Sequence, residues 1–245
     1  EIEPPNSDVS IIKDESSASN SPRVGNDRDE HGCIGSAGYT WSNLKNRCVQ
    51  LFAEGIKLIP AGPNSTDDLT TDLLESGVVS WDDIVRSVQC FHYGRNSDRT
   101  DLNLVWYERK GSCSSKHAFL KHVAELNNLP NIKLILAFYK MNNENTPGIG
   151  DVLEKNNLSD IPEAHCYLKV NEIELDITTV HSDFNRYKND IIKTQIIQPS
   201  DVISKKIEWH KEFIENWRIE NHHEINFETL WSIRETCIEQ LEKRR

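Results

Sequence analysis

The run Ile132-Lys-Leu-Ile-Leu-Ala-Phe-Tyr-Lys-Met141 narrows most what this chain can fold into. Side chains alternate faces along a strand, and here apolar residues occupy both alternating sets. Neither face can be left to water, so such a strand belongs in the middle of a sheet. Pro130 precedes it, lacks an N–H and disfavours helical backbone in the residue before it. Any helix leading in must therefore stop near Asn128. Ile191–Ile197 is a candidate for a further strand.

The helix that Pro130 stops starts at Gly111-Ser-Cys-Ser-Ser-Lys-His-Ala-Phe-Leu120. A glycine-led turn brings Cys113 to its first turn, and Phe119, Val123 and Leu126 follow at helical spacing. The unpaired N–H groups and the dipole at a helix start favour thiolate over thiol, and thiolate is the nucleophile. Beyond the central strand, the run from Ala164 to Thr178 reads as a hairpin carrying His165 and Asp176. With Asn171 and Glu172 as the two turn residues, Val170 pairs with Ile173, Lys169 with Glu174, Leu168 with Leu175 and Tyr167 with Asp176. His165 shares a face with Tyr167. Asp176 is then its diagonal neighbour on that face, about 7–8 Å away along the backbone. A register slip of one residue would put the two on opposite faces.

These residue types suit acyl transfer. An imidazole takes the thiol proton and later protonates a leaving amine. A carboxylate fixes the ring's tautomer and supports the imidazolium. The Cys113 N–H is a first oxyanion donor, and Gln89, Trp81 and Trp106 are candidates for the second. Plainer readings stand beside this one. A lone cysteine after glycine is usually structural, and so is a histidine on a strand. His117 is a rival base one turn after Cys113, but an i,i+4 neighbour is poorly placed for a distant carboxylate to orient, which favours a packing or surface role. Cys166 is expected to be a small buried residue facing away from the site. Order and strand faces together select Cys113 as nucleophile, His165 as base and Asp176 as the orienting carboxylate.

Gly-Ser-Cys-x-x-Lys-His-Ala from Gly111, a histidine opening a strand at His165 and Leu-Asp-Ile-Thr from Leu175 resemble the transglutaminase-like superfamily. The resemblance covers residues 80–198. It implies an α+β protein with a transglutaminase-like, papain-like core, in which a nucleophile helix packs on an antiparallel sheet. It also implies Cys113, His165 and Asp176 as the catalytic residues. Two positions depart from the pattern: Cys166 stands where members often carry an aromatic residue, and Gly-Ser-Cys replaces Gly-Val-Cys. The family contains crosslinking enzymes, peptidases, amidases and deamidases. It implies a peptide or protein amide as substrate and no organic cofactor or metal, although some relatives bind calcium.

Outside that core, residues 1–30 are rich in Ser, Asn, Asp, Glu and Pro and poor in large apolar side chains, so a disordered tail or linker is expected. Val9-Ser-Ile-Ile12 is its only strand candidate. Residues 31–60 are expected to form a small cysteine-containing module, with helical spacing at Leu44, Cys48, Leu51 and Phe52. Cys33 and Cys48 are the one plausible disulfide among six cysteines, a closure worth about 3 kcal/mol in the chain-entropy model. Two reduced, buried thiols are the alternative. Residues 31–58 resemble a short two-cysteine segment of bacterial exported lipoproteins. That implies a bacterial exported or cell-envelope location, with a cytoplasmic one as the alternative. Residues 61–79 read as a linker, and Ser80 as the N-cap of a helix with Asp83 at its third position. Residues 199–245 read as a C-terminal segment of two closing helices, with Trp209, Trp217 and Trp231 at core spacings. His222-His223-Glu224 lacks the H-E-x-x-H spacing of a metal site and reads as a helix junction.

Charge removes other classes. With 28 basic and 39 acidic residues the formal net charge is −11, which argues against nucleic-acid binding by phosphate neutralisation and against a polybasic membrane surface. No apolar run reaches the roughly 18 residues of a membrane span. The chain starts at Glu1 and its only methionine is Met141, as a processed or trimmed product would. The function expected is amide hydrolysis through a Cys113 thioester. The alternatives are a catalytically inert transglutaminase-like binding module and a protein-crosslinking transglutaminase.

Overall fold

The computed structural model describes residues 28–34, 39–42, 47–50, 67–221 and 224–244. The expected tail up to residue 27, the strand candidate at Val9–Ile12, Leu44, Leu51, Phe52 and His222-His223 lie outside the described residues.

Tyr39–Ser42 (β1) and Arg47–Gln50 (β2) pair antiparallel, with Trp41 opposite Cys48. This corrects the helical reading of Cys48. Four residues are too few for periodicity to separate helix from strand, and the β-branched and aromatic Tyr39, Thr40, Trp41 and Val49 favour pairing. Cys33 and Cys48 are joined by a disulfide with their Cα atoms 5.5 Å apart. The Asp29 carboxylate shapes the turn before Cys33 by accepting from the N–H of His31 at 2.9 Å and of Cys33 at 2.8 Å.

The segment read as a linker contains a helix, Asp68–Glu75 (α1). Asp67 caps it, accepting from the Thr70 N–H at 3.1 Å, and Leu69 and Leu73 are buried in the main core. Its acidic residues are a cap and a first-turn charge rather than a solvated spacer. Trp81–Cys90 (α2) follows, with Ser80 accepting from the Asp83 N–H at 3.2 Å. His92–Tyr93 (β3) runs parallel to Lys110–Gly111 (β4), with the short helix Leu104–Tyr107 (α3) between them. Cys113–Leu126 (α4) ends at Asn127, and Asn128 turns the chain at φ 53° two residues before Pro130.

Ile132–Met141 (β5), Ile161–Val170 (β6), Ile173–Leu175 (β7) and Ile191–Ile197 (β8) form one antiparallel sheet in the order β7-β6-β5-β8. The two-faced apolar strand is interior, as its pattern requires. Leu134, Leu136 and Phe138 join Phe119 and Val123 of α4 in one core, while Ile135 and Ala137 point the other way toward Tyr167. A short helix, Val152–Lys155 (α5), precedes β6. Among the described residues the C-terminal segment holds three helices, not two: Pro199–Ser204 (α6), Lys206–Glu220 (α7) and Phe227–Arg244 (α8). The first expected helix breaks at Lys205. Ile214, Trp217, Leu230 and Cys237 build a second core with Met141, Leu153 and Ile161. The architecture is mixed α+β. Among the described residues no helix is long and apolar enough to cross a membrane.

Candidate active site

Cys113 is the first residue of α4, and the turn before it is built tightly. Ser112 caps the helix and shares a reciprocal pair with Ser115: the Ser115 N–H donates to Ser112 Oγ at 3.3 Å, and the Ser112 N–H donates to Ser115 Oγ at 2.9 Å. Gly111 is required by space. A Cβ there would lie 2.8 Å from Lys116 Cγ and 3.0 Å from Ser115 Oγ. Lys116 is wholly buried. Its Nζ donates to the carbonyl of Phe91 at 2.6 Å and that of Thr178 at 2.9 Å, tying the helix start to β3 and to the loop after Asp176. Lys116→Met keeps most of the stem but strands both carbonyls. It is expected to cost about 3 kcal/mol, read as a lower urea midpoint at an unchanged slope. An unchanged midpoint would remove the tie.

The hairpin has the register read from its sequence: Val170 opposite Ile173, Lys169 opposite Glu174 and Leu168 opposite Leu175. Asn171 and Glu172 lie at φ 47° and 70°, the paired left-handed values of a type I′ turn. His165 and Asp176 consequently meet, with His165 Nε2 2.9 Å from Asp176 Oδ2. The other carboxylate oxygen accepts from the Thr178 N–H at 3.0 Å and its hydroxyl at 2.6 Å, and the Tyr187 hydroxyl donates to Oδ2 at 3.1 Å.

Charge follows from these contacts. Burial opposes ionisation of Asp176, but the His165 imidazolium and the hydrogen bonds hold its carboxyl far below the usual carboxylate range. Burial likewise opposes a charged His165, yet Asp176 and Cys113 raise it to about 10. For Cys113 burial would raise the thiol. The charge of His165 and its hydrogen bond to the sulfur, with further contributions from Lys206 and the Cys166 backbone N–H, bring it down to about 6. With Nε2 engaged by Asp176, Nδ1 is the ring atom left for the thiol. Both directions favour a thiolate–imidazolium pair over a neutral thiol and imidazole.

Both ring nitrogens of His117 are engaged by backbone groups. It is fully buried, its Nδ1 sits 2.6 Å from the Cys113 carbonyl oxygen, and its Nε2 accepts from the Ile177 N–H at 2.9 Å. Those partners define a neutral ring with the proton on Nδ1 and no lone pair free, and burial pushes it down to about 4. It pins the start of α4 to the residue after Asp176. Cys166 is buried in the core against α4, and burial raises its thiol to about 12.

None of the three second oxyanion candidates reaches the site. Trp81 and Trp106 are buried in the main core, and the Arg109 guanidinium lies over the Trp106 ring at 3.5 Å. The Gln89 amide donates to the Thr179 carbonyl at 3.4 Å. Apolar faces of α2 and α3 draw the two tryptophans inward, away from Cys113. Tyr187 was missed from the sequence. Its ring packs edge-on to His165 at 5.0 Å, but it sits in a loop 11 residues past Asp176, where no periodicity marks it.

Cys113 lies where two clefts meet. The larger, of about 350 Å3, opens between the start of α4, the 93–102 loop and helices α6 to α8. The smaller, of about 80 Å3, is lined by His165, Asp176 and Tyr187. Trp231, expected as core alone, is half-buried and lines the larger cleft. Glu163, two residues before His165 on β6, lines both clefts and takes a bidentate bond from Arg234 of α8 at 2.6 Å on each oxygen. Among the described residues no group of three or more His, Cys, Asp or Glu side chains is arranged to hold a metal ion. The chain matches no family model, no curated protein and no solved structure, so the assignment of this site rests on its geometry.

Proposed function

We propose that the protein is a transglutaminase-like, papain-type cysteine hydrolase that cleaves an amide through a thioester on Cys113. The observation that carries this reading is the His165–Asp176 contact at 2.9 Å, set beside a cysteine at the start of α4 in the same cleft, with the charge of His165 lowering its thiol. The thiolate attacks the carbonyl carbon, and the oxyanion that develops meets the Cys113 N–H at the positive end of α4. His165 gives its proton to the leaving amine as the C–N bond breaks. The neutral imidazole then takes a proton from water, which attacks the thioester and releases the acid and the thiolate. Asp176 keeps the ring oriented and stabilises its charged form throughout, held in turn by Thr178 and Tyr187. The Cys33–Cys48 disulfide supports an oxidising, exported location.

The test is trapping of the acyl-enzyme. Brief exposure to p-nitrophenyl acetate, followed by peptide mass spectrometry, is expected to place a hydroxylamine-labile acetyl group on Cys113 of the wild type and not of His165→Ala. Equal labelling of the two proteins, or labelling of Cys90 before Cys113, would leave a ligand-binding cleft without turnover as the better account.

A further inference from the structure

The two clefts at Cys113 differ in which half of a substrate they can take, an argument that rests on the hydrolase reading above. In amide cleavage the acyl half stays on sulfur, and the amine departs past the group that protonates it. His165 lines the smaller cleft and not the larger, so the amine leaves through the smaller one and the acyl half lies in the larger. The charges lining the larger cleft then decide what acyl group fits.

Its acidic side chains are already engaged. Both oxygens of Glu163 are held by Arg234, and Glu235 pairs with Arg95 and Arg234, each at 2.7 Å. Arg95 also reaches Glu242 at 4.0 Å. Asp98 accepts from the Thr100 N–H and hydroxyl, and Asp101 from the Asn103 N–H. The cations are not all so engaged. Arg95 and Arg234 are committed to those acids, Lys211 lies 5.2 Å from the Trp231 ring, and Arg99 lines the cleft but is exposed to solvent. Lys206, the first residue of α7, lines the cleft half-buried and makes no hydrogen bond or ion pair among the described residues. It is near enough for its charge to act on Cys113, Glu163 and His210. Among the described residues the anions near it are engaged by other cations, Glu163 by Arg234 and the Cys113 thiolate by the His165 imidazolium. A half-buried cation with no partner of its own lacks a counter-charge, which an anion bound in the cleft would supply.

We propose that Lys206 supplies the recognition of a carboxylate on the acyl half, so that the preferred substrate is an amide whose acyl portion is acidic. The structure places the discriminating charge on α7, outside the residues that do the chemistry.

Two reagents of nearly equal size, one anionic and one neutral, test this without knowledge of the substrate. Second-order rates of Cys113 alkylation by iodoacetate and by iodoacetamide are measured on the full chain, and their ratio is compared among wild type, Lys206→Gln and Lys206→Arg. Any change in the thiolate population affects both reagents and cancels in the ratio. The ratio is expected to fall about tenfold in Lys206→Gln, the factor one charge contributes across a partly buried gap, and to hold in Lys206→Arg. An unchanged ratio in Lys206→Gln, with iodoacetamide still fast at Cys113, overturns the role of Lys206 and leaves the activated thiol standing. Reaction of Cys113 with iodoacetamide no faster than that of the exposed Cys90 overturns the thiol reading and this inference with it.

Discussion

At pH 6, His165→Ala is expected to slow alkylation of Cys113 by iodoacetamide tenfold or more. Near pH 6 about half of the wild-type sulfur is thiolate, because His165 holds the thiol there against its burial. Without the imidazolium, burial is opposed only by Lys206 and the Cys166 backbone N–H, and the thiol returns toward its usual value of about 8.5, so under about 1% is ionised at pH 6. The loss of thiolate is therefore on the order of 100-fold. A more basic sulfur is intrinsically the better nucleophile, and with a Brønsted slope of about 0.4–0.5 this returns roughly tenfold. The population effect wins by about another factor of ten. The same balance sets the shape of the profile. Wild-type reactivity should be nearly flat from pH 7 to 9, between the ionisations of Cys113 near 6 and His165 near 10, while that of His165→Ala keeps rising with pH. Asp176→Asn should fall between the two, since His165 keeps its place but loses the charge that holds its proton. Cys90, exposed on α2, is the internal reference. A His165→Ala profile that overlays the wild type would remove the ion pair and the hydrolytic reading with it.

What was legible in the sequence was what a local pattern could encode. Apolar residues on both faces of Ile132–Met141 left an interior strand as the only arrangement, and the Asn171-Glu172 turn fixed a register that brings Asp176 to His165. Cys113 was placed by a helix start and a glycine. Residues whose role depends on a distant partner were not legible. Lys116 and His117 look like an ordinary polar stretch of α4, yet both are fully buried, because Thr178 and Ile177 offer backbone partners some 60 residues away. The Asp67–Asp68 pair reads as linker until Leu69 and Leu73 are seen to find a core beneath them. Trp231 has core spacing on α8, but the same face that packs also borders the cleft. Helical spacing states that a face is covered and not by what.

The largest effect on stability is expected at Arg234. Arg234→Met preserves the volume of the stem on α8 and leaves the Glu163 carboxylate, 4% exposed, without the two bonds that neutralise it. Breaking a buried pair from one side costs about 3–5 kcal/mol, because the remaining charge is still desolvated. The ionisation of Glu163 gives a figure of the same size. Burial works against its charge, but Arg234 overrides burial and pulls it down to about 2, and a carboxyl moved there from about 4.3 gains about 3 kcal/mol. Because the folded value lies below the unfolded one, that stability is complete above pH about 4.3 and is lost as pH falls toward 2. In Arg234→Met the sign reverses: the unpaired, buried carboxyl is raised above 4.3, so protonating it relieves the fold. The gap in unfolding free energy between the two proteins should thus be widest at pH 7 and shrink by more than half at pH 3, measured by urea titration. The double variant Glu163→Gln with Arg234→Met should recover part of the loss at pH 7, since it removes the stranded charge as well as its partner. A gap that does not change with pH would mean that the cost lies in packing of the guanidinium over Trp231 and not in the ion pair. The pair joins the strand that carries His165 to the helix that walls both clefts, so the acid limb of stability and the integrity of the site should fail together.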